Sequence, residues 1–426
     1  MARRPMGDLF YHQIPPERDL MKKIIAGAEF VMYWSLICIP FSVAVGSAIT
    51  NILIGFSIFS FLVKTVLKKE RLCEHKSVLV ALSCMFAVAL VSFRNTIDLR
   101  ASIQGLEKML LAIFLFFIAS RQIADKKHLK RVVLSCIAGA AFAAFDALWQ
   151  MVFGFDFIRH NPPMIYISTL RRATAGFSHT NMLGIYLTAS APLAIGLGRY
   201  YYQGKKKIFL SCIAVLIAAG IALTYSRGAL AGLLISVLFL AIFRKDKLVL
   251  TALILALSAA PFLLPKDVKY FARTVNYNPV RFMLNDDRIS MFKNAANMIK
   301  HHPFVGVGVN TFCKNYKKYK LLGPSYALTG DSMYAHNNFL HMGGEIGLLG
   351  LSSFLWFLFL IFKFSRRIYL RVKDNFLKVS SLSLNACVIA FLINGLTETS
   401  LYNAKVAVMF WFLAGLTLSI GKIKEE

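Results

Sequence analysis

Three side chains in this 426-residue chain have the type and setting for chemistry on a phosphorylated substrate. Arg227 stands in Leu223-Thr224-Tyr225-Ser226-Arg227-Gly228-Ala229, at the junction of two apolar runs, where an arginine is costly unless paired or wet. Arg288 follows Asp286 and Asp287 at the start of a helical pattern. Two guanidiniums can grip a diphosphate, because each binds phosphate oxygens through paired hydrogen bonds. His336, in Tyr334-Ala335-His336-Asn337-Asn338, offers an imidazole that can take a proton from a hydroxyl. Arg171 and Arg172 add a third basic point.

Each residue also has an ordinary reading. Arg227 suits an interfacial arginine that snorkels to lipid phosphate. Arg288 suits a capped helix with a local ion pair. His336 suits a helix-start histidine bonded to backbone. His341 lies five residues on, about 140° round a helix, so the two histidines make a poor metal pair. His301-His302 before Pro303 reads as a helix C-terminus that favours positive charge. The chain has no Asp-x-Asp for a metal-bound nucleotide sugar, no Gly-x-x-x-x-Gly-Lys-Ser/Thr loop and no Gly-x-Ser-x-Gly elbow. An ATP-driven pump and a cytoplasmic sugar-nucleotide transferase are disfavoured accordingly.

The elements that must position these residues are apolar. A hydrophobic fraction of 57% with mean hydropathy +0.59 exceeds what a soluble domain of this size buries, so the class is polytopic membrane protein. Twelve spans are expected, at about 24–43, 47–63, 77–93, 106–120, 132–151, 181–198, 208–225, 229–243, 248–264, 344–362, 379–396 and 404–420, the eighth being short. The first, preceded by Arg3, Arg4, Arg18, Lys22 and Lys23, reads as an uncleaved span because a second follows almost at once.

The net charge of +28 follows from this topology. With the N-terminus cytoplasmic, the connections 64–76, 121–131, 199–207, 244–247 and 363–378 and both tails hold 30 of the 49 Lys and Arg, as the positive-inside rule requires. Nucleic-acid binding then has no support. The seven cysteines are scattered, five of them in apolar runs, and make neither a disulfide framework nor a zinc site.

All the unusual polar stretches fall on the opposite, external side: 159–181, 225–228, 265–343 and 397–400. The chain thus divides into 1–264 with nine spans, a long external loop at 265–343, and 344–426 with three spans. Within the loop, Ile289, Phe292, Ala296 and Ile299 recur at helical spacing, with Asn285 or Asp286 as N-cap and Pro303 as terminator. Asp331 or Ser332 is expected to cap a second helix that carries His336 and runs past Gly343 into the next span.

Taken in order, these pieces resemble a known family. They are Arg172-Ala173-Thr174-Ala175-Gly176-Phe177 with Asn181, Ser226-Arg227-Gly228, Asp287-Arg288 before Pro303 and Gly306-Val307-Gly308, and His336-Asn337-Asn338 with Glu345-Ile346-Gly347-Leu348-Leu349-Gly350. Their order around one long external loop among twelve spans resembles the O-antigen ligase and polymerase superfamily over roughly residues 30–420.

The resemblance implies an all-α, GT-C-like membrane fold in the bacterial inner membrane, with a partly helical periplasmic loop. It implies a donor glycan on undecaprenyl diphosphate and inverting transfer without metal, nucleotide or other cofactor. It assigns the diphosphate-binding arginines to Arg227 and Arg288 and the catalytic base to His336, and makes Arg172 and Asn337 further substrate-binding candidates. The acidic residue of the last external loop, often aspartate in the family, is Glu398 here. For a ligase the partners are lipid A-core as acceptor and the surrounding lipids. A polymerase, a protein-glycosylating ligase and a secondary transporter are the alternatives. Transporters usually show two similar halves, whereas this loop lies between the ninth and tenth spans.

Overall fold

The computed structural model describes residues 16–68, 75–166, 170–263, 266–321 and 330–425. Arg3, Arg4, Cys73 and Pro265 lie outside the described residues. Among the described residues the chain is all-α apart from a two-stranded hairpin, and eleven of these helices are long and apolar enough to cross a bilayer. They are α1 (Pro16–Val45), α2 (Ser47–Lys68), α3 (Lys76–Val91, extended by a 3-10 turn), α4 (Leu99–Gln122), α5 (Lys126–Phe153), α6 (Thr180–Tyr200), α7 (Gly204–Leu223), α8 (Arg227–Arg244), α14 (Asn338–Arg371), α15 (Asn375–Asn394) and α16 (Ala404–Ser419).

The expected ninth span is the apolar helix α9 (Lys247–Leu263), of 17 residues, which is not among these eleven. The eighth, short by its apolar pattern, is a full 18 residues once Arg227 and Arg244 are included at its ends. Polar residues belong to the helix there, because backbone hydrogen bonding continues past the hydrocarbon boundary.

The helices pack around α6. Its apolar window is 94% buried, whereas those of α1 and α2 are 28% buried and present residues such as Phe30, Phe56 and Phe59 outward. Outward hydrocarbon on a peripheral helix is stable only against lipid. α15 packs against α6, α8, α14 and α16, and α16 packs against α4.

The two ends of the bundle differ chemically. At one end the basic connections meet: Arg199 pairs with Asp246 at 2.8 Å, Lys126 with Asp374 at 2.6 Å, and Lys64 with Gln122 at 2.9 Å. At the other end lie the hairpin β1 (Met164–Tyr166) and β2 (Leu170–Arg172) and the helices α10 (Lys266–Thr274), α11 (Pro279–Met283), α12 (Asp286–His301) and α13 (Phe312–Tyr319).

α12 starts and stops where its sequence directs. Asn285 caps it by accepting from the backbone N–H of Arg288, and the helix ends at His301, before Pro303. Its buried face is Met291, Asn294, Ala295 and Met298, one position round from the expected stripe, and Ala296 is exposed. The reason is local: Asn294 bonds the Tyr316 hydroxyl at 2.7 Å and the Leu321 amide at 3.0 Å, and these polar contacts set the rotation. Met291, Ala295, Met298, Val307, Phe312 and Tyr316 then form a small core of their own.

His336 is not on a helix. Asn337, not Asp331 or Ser332, caps α14, accepting from the backbone N–H groups of Phe339 and Leu340, and His336 precedes it with φ of +47°. α14 therefore begins six residues before the apolar run at 344. It is broken at Gly347 (φ +67°), where a Cβ would run into the Phe304 carbonyl. Segment 303–308 lies in this break: the amides of Val307 and Gly308 donate to Gly344 and Glu345, and those of Leu348 and Leu349 donate back to Pro303 and Phe304. Two weak sequence motifs, Gly306-Val307-Gly308 and Glu345-Ile346-Gly347, are thus two sides of one joint.

Candidate functional site

Glu398 is the hub at the loop-bearing end. It sits in the turn between α15 and α16, is 3% exposed, and carries a charge that burial makes unstable unless it is met by donors. One oxygen, Oε2, accepts from Nδ1–H of His336 at 3.1 Å. The other, Oε1, accepts from Nη2 of Arg288 and from Nδ2 of Asn181. Burial pushes its carboxyl up, but the hydrogen bond from His336 and the charges of Arg288, His336 and His179 outweigh it and hold the group below its ordinary 4.5.

The backbone is built to make this meeting. The Asn337 carboxamide donates to the Leu396 carbonyl at 2.9 Å, and the amide of Asn338 donates to Gly395 at 2.8 Å. Asn338 also bonds Ser400 Oγ at 2.8 Å and accepts from the Leu401 amide at 3.0 Å. These bonds bracket His336 on one chain and Glu398 on the other. His336 keeps 29% of its side chain exposed, whereas the Asn337 carboxamide is occupied by its cap and by Leu396.

Arg288 lies in the first turn of α12, with 15% of its side chain exposed. It has one Nη2 on Glu398, and a guanidinium carries five N–H donors. Arg227 is the first residue of α8, following the cap Ser226 and Tyr225, whose φ is +49°. Its Nη1 donates to the Phe282 carbonyl, and its guanidinium lies 5.8 Å from the centre of the Phe282 ring. Gly228, beside it, abuts Asn394 and Thr397, so closely that a Cβ would overlap Thr397 Oγ1. The two arginines therefore flank the turn that carries Glu398.

Arg172 is buried. Its Nε donates to the Thr224 carbonyl at 2.8 Å and its Nη2 to Asn181 Oδ1 at 3.2 Å. The stretch after it is a bracket: the amides of Thr174 and Ala175 donate to Gln150 Oε1, and Lys405 donates to the Gly176 carbonyl while covering the Phe177 ring. Arg172, Asn181 and Glu398 thus form a continuous chain of hydrogen bonds, with Arg172 at its protein-facing end.

His179 has no place in the reading of the sequence. It caps α6 through its ring, Nδ1 accepting from the Asn181 amide at 3.2 Å, which leaves Nε2 as the N–H. Burial lowers its proton affinity; the Glu398 charge opposes this, and Arg172, His336 and Arg288 add to it. The only signal in the sequence is its position two residues before Asn181. Among the described residues no three of His, Cys, Asp and Glu meet in an arrangement that could hold a metal.

Left-handed backbone marks the same places: Ala175, Tyr225 and His336 all have positive φ, at a cost of about 1 kcal/mol each for a residue with a Cβ. Such strain persists where surrounding contacts over-determine it, and it clusters at functional sites.

Residues 212–355 match the family described as O-Antigen ligase. Over that third of its length the chain is similar to the O-antigen ligase family. The matched stretch contains Arg227, Arg288 and His336; Arg172, Asn181 and Glu398 lie outside it and are joined by hydrogen bonds to Arg288 and His336. No curated protein matches the chain. With eleven helices long and apolar enough to cross a bilayer among the described residues, the chain is built as a multi-pass membrane protein.

Proposed function

We propose that the chain is an O-antigen ligase that moves a glycan from undecaprenyl diphosphate to lipid A-core at the periplasmic face of the bacterial inner membrane. The observation that carries this reading is the junction of His336, Glu398 and Arg288.

Chemistry follows from that junction. A carboxylate on Nδ1 fixes the tautomer of His336, so Nε2 carries the lone pair and can take the proton of an acceptor hydroxyl. As that proton leaves, the acceptor oxygen bonds the anomeric carbon of the donor sugar while the bond from this carbon to the diphosphate oxygen breaks on the opposite face, with inversion. The lipid diphosphate leaves with growing negative charge, which Arg288 and Arg227 are positioned to neutralise. Glu398 orients the base and keeps Arg288 in place between the two tasks. The resemblance to the family supplies the donor class. The basic end of the bundle, where positive charge faces the cytoplasm, supports a periplasmic setting for the site.

The acceptor is tested with purified chain and an undecaprenyl-diphosphate glycan in EDTA, with and without lipid A-core. Glycan on lipid A-core, formed only when that acceptor is present, is the expected result. Longer glycan on the polyprenyl carrier in its absence would make the chain a polymerase, and no transfer in either case would overturn the reading.

A further inference from the structure

A cavity of about 430 Å³ opens beside this site, within the size range of ligand pockets. Its walls come from α2, α3, α4, α14 and α16 and are largely apolar, including Met109, Leu115, Met342 and Trp411. Its floor approaches the site through Leu401 and Tyr402, which follow Glu398 in the same turn. Asn51, Lys108 and Leu111 edge it and are exposed on the outer surface of α2 and α4, so it is open towards the surrounding lipid.

Two polar groups on this apolar frame have unmet hydrogen-bonding capacity among the described residues. Glu345 lines the cavity and is 2% exposed; its Oε1 accepts from the Phe312 amide at 3.3 Å and lies 3.4 Å from His341 Nε2, but its Oε2 is buried with no hydrogen-bond partner among the described residues. A buried carboxylate oxygen without a donor is expensive and calls for one. Lys108 has no ion pair or hydrogen bond among the described residues, although it lies within a membrane-spanning helix. It is nine residues from the start of α4, about 13 Å along the axis, and its stem can lift the ammonium towards that end. An ionisable side chain so placed is functional by default.

Together the walls ask for a hydrocarbon chain, Lys108 asks for an anionic group, and Glu345 asks for a hydroxyl or amide donor. A polyprenyl chain offers no such donor within its tail. A phosphorylated glycolipid with hydroxylated or amide-linked acyl chains offers all three.

The flank matters too. Arg227 belongs to α8, which packs against α6, α7, α9 and α15, whereas α2 and α4 pack against α1, α3 and α16. The His336–Glu398 pair sits between these groups, in the turn joining α15 to α16 and at the start of α14. We propose that the cavity is the acceptor's seat, holding an acyl chain of a phosphorylated acylated glycolipid with its phosphate at Lys108 and a chain hydroxyl or amide at Glu345. This deepens the ligase reading and rests on it for the word acceptor; the binding itself does not.

The test is binding, read by native mass spectrometry of the full-length protein in detergent with monophosphoryl lipid A, undecaprenyl phosphate or phosphatidylglycerol as probe. Wild type is expected to retain monophosphoryl lipid A in preference to the other two. Lys108→Glu, a surface change that leaves the core intact, weakens it by about fivefold or more. Ala112→Phe, which fills the cavity, and Glu345→Gln weaken it too. His336→Ala retains the lipid as wild type does, so failure of the transfer mechanism and failure of this proposal give different results. Unchanged binding in Lys108→Glu and Ala112→Phe, or equal retention of undecaprenyl phosphate or phosphatidylglycerol, overturns the proposal.

Discussion

His336 Nδ1 lies 3.1 Å from Glu398 Oε2, joining the start of α14 to the turn before α16 across 62 residues of sequence. In the proposed mechanism the histidine is the base and the carboxylate its positioning group, and the predictions follow from separating these roles.

Glu398→Gln keeps the shape but no longer forces the proton onto Nδ1. Transfer should fall by about 10- to 100-fold, the usual cost of losing an orienting partner. Glu398→Asp, the residue common in the family, should retain more activity than Gln. Initial rates at saturating donor check this; equal rates for Gln and wild type would remove the positioning role.

Arg288→Ala leaves Glu398 buried with its charge partly unmet, which costs about 3–5 kcal/mol. Combining it with Glu398→Gln should recover most of the lost thermal stability and none of the transfer. Arg288→Lys and Arg227→Lys should fold but use donor poorly, by about 10²-fold, because an ammonium lacks the paired donors. Thermal melts beside transfer rates distinguish the two effects.

Stability should also depend on acid in one direction. Glu398 has a folded value below 4.5, so its contribution is present above that pH and is lost as pH falls through the lower folded value. The stability gap between wild type and Glu398→Gln should narrow as pH falls below 4.5. A gap that widens on acidification below that pH would contradict this sign.

Gly347→Ala should destabilise by more than about 1 kcal/mol, since a Cβ meets both a positive φ and the Phe304 carbonyl. Gly27→Ala in α1, which meets nothing within 4 Å, should be neutral or slightly stabilising. Comparable melting temperatures for the two variants would remove the 303–308 joint as a source of rigidity.

Much of the fold was legible because hydrocarbon runs and basic connections obey the bilayer, a solvent whose demands act on composition. α12 was legible through Asn285 and Pro303, which act locally. The rotation of α12 was not, because Asn294 bonds Tyr316 and Leu321 from afar. His336 was placed on a helix because Asp331 and Ser332 look like caps; the real cap, Asn337, is selected by bonds that the neighbouring Asn337 and Asn338 make with 395–401. Arg288 and His336 are legible from their residue types and setting and Glu398 through the resemblance, whereas their contact requires the structure. His179 was missed because its role as a ring-nitrogen cap has no motif.

The most direct test of the central claim compares wild type with His336→Ala, both purified as intact protein, using an undecaprenyl-diphosphate glycan and lipid A-core in EDTA. The account predicts that wild type transfers glycan to lipid A-core and that His336→Ala does so slower by about 10²- to 10⁴-fold, with an unchanged melting temperature. Transfer by His336→Ala at the wild-type rate would contradict it.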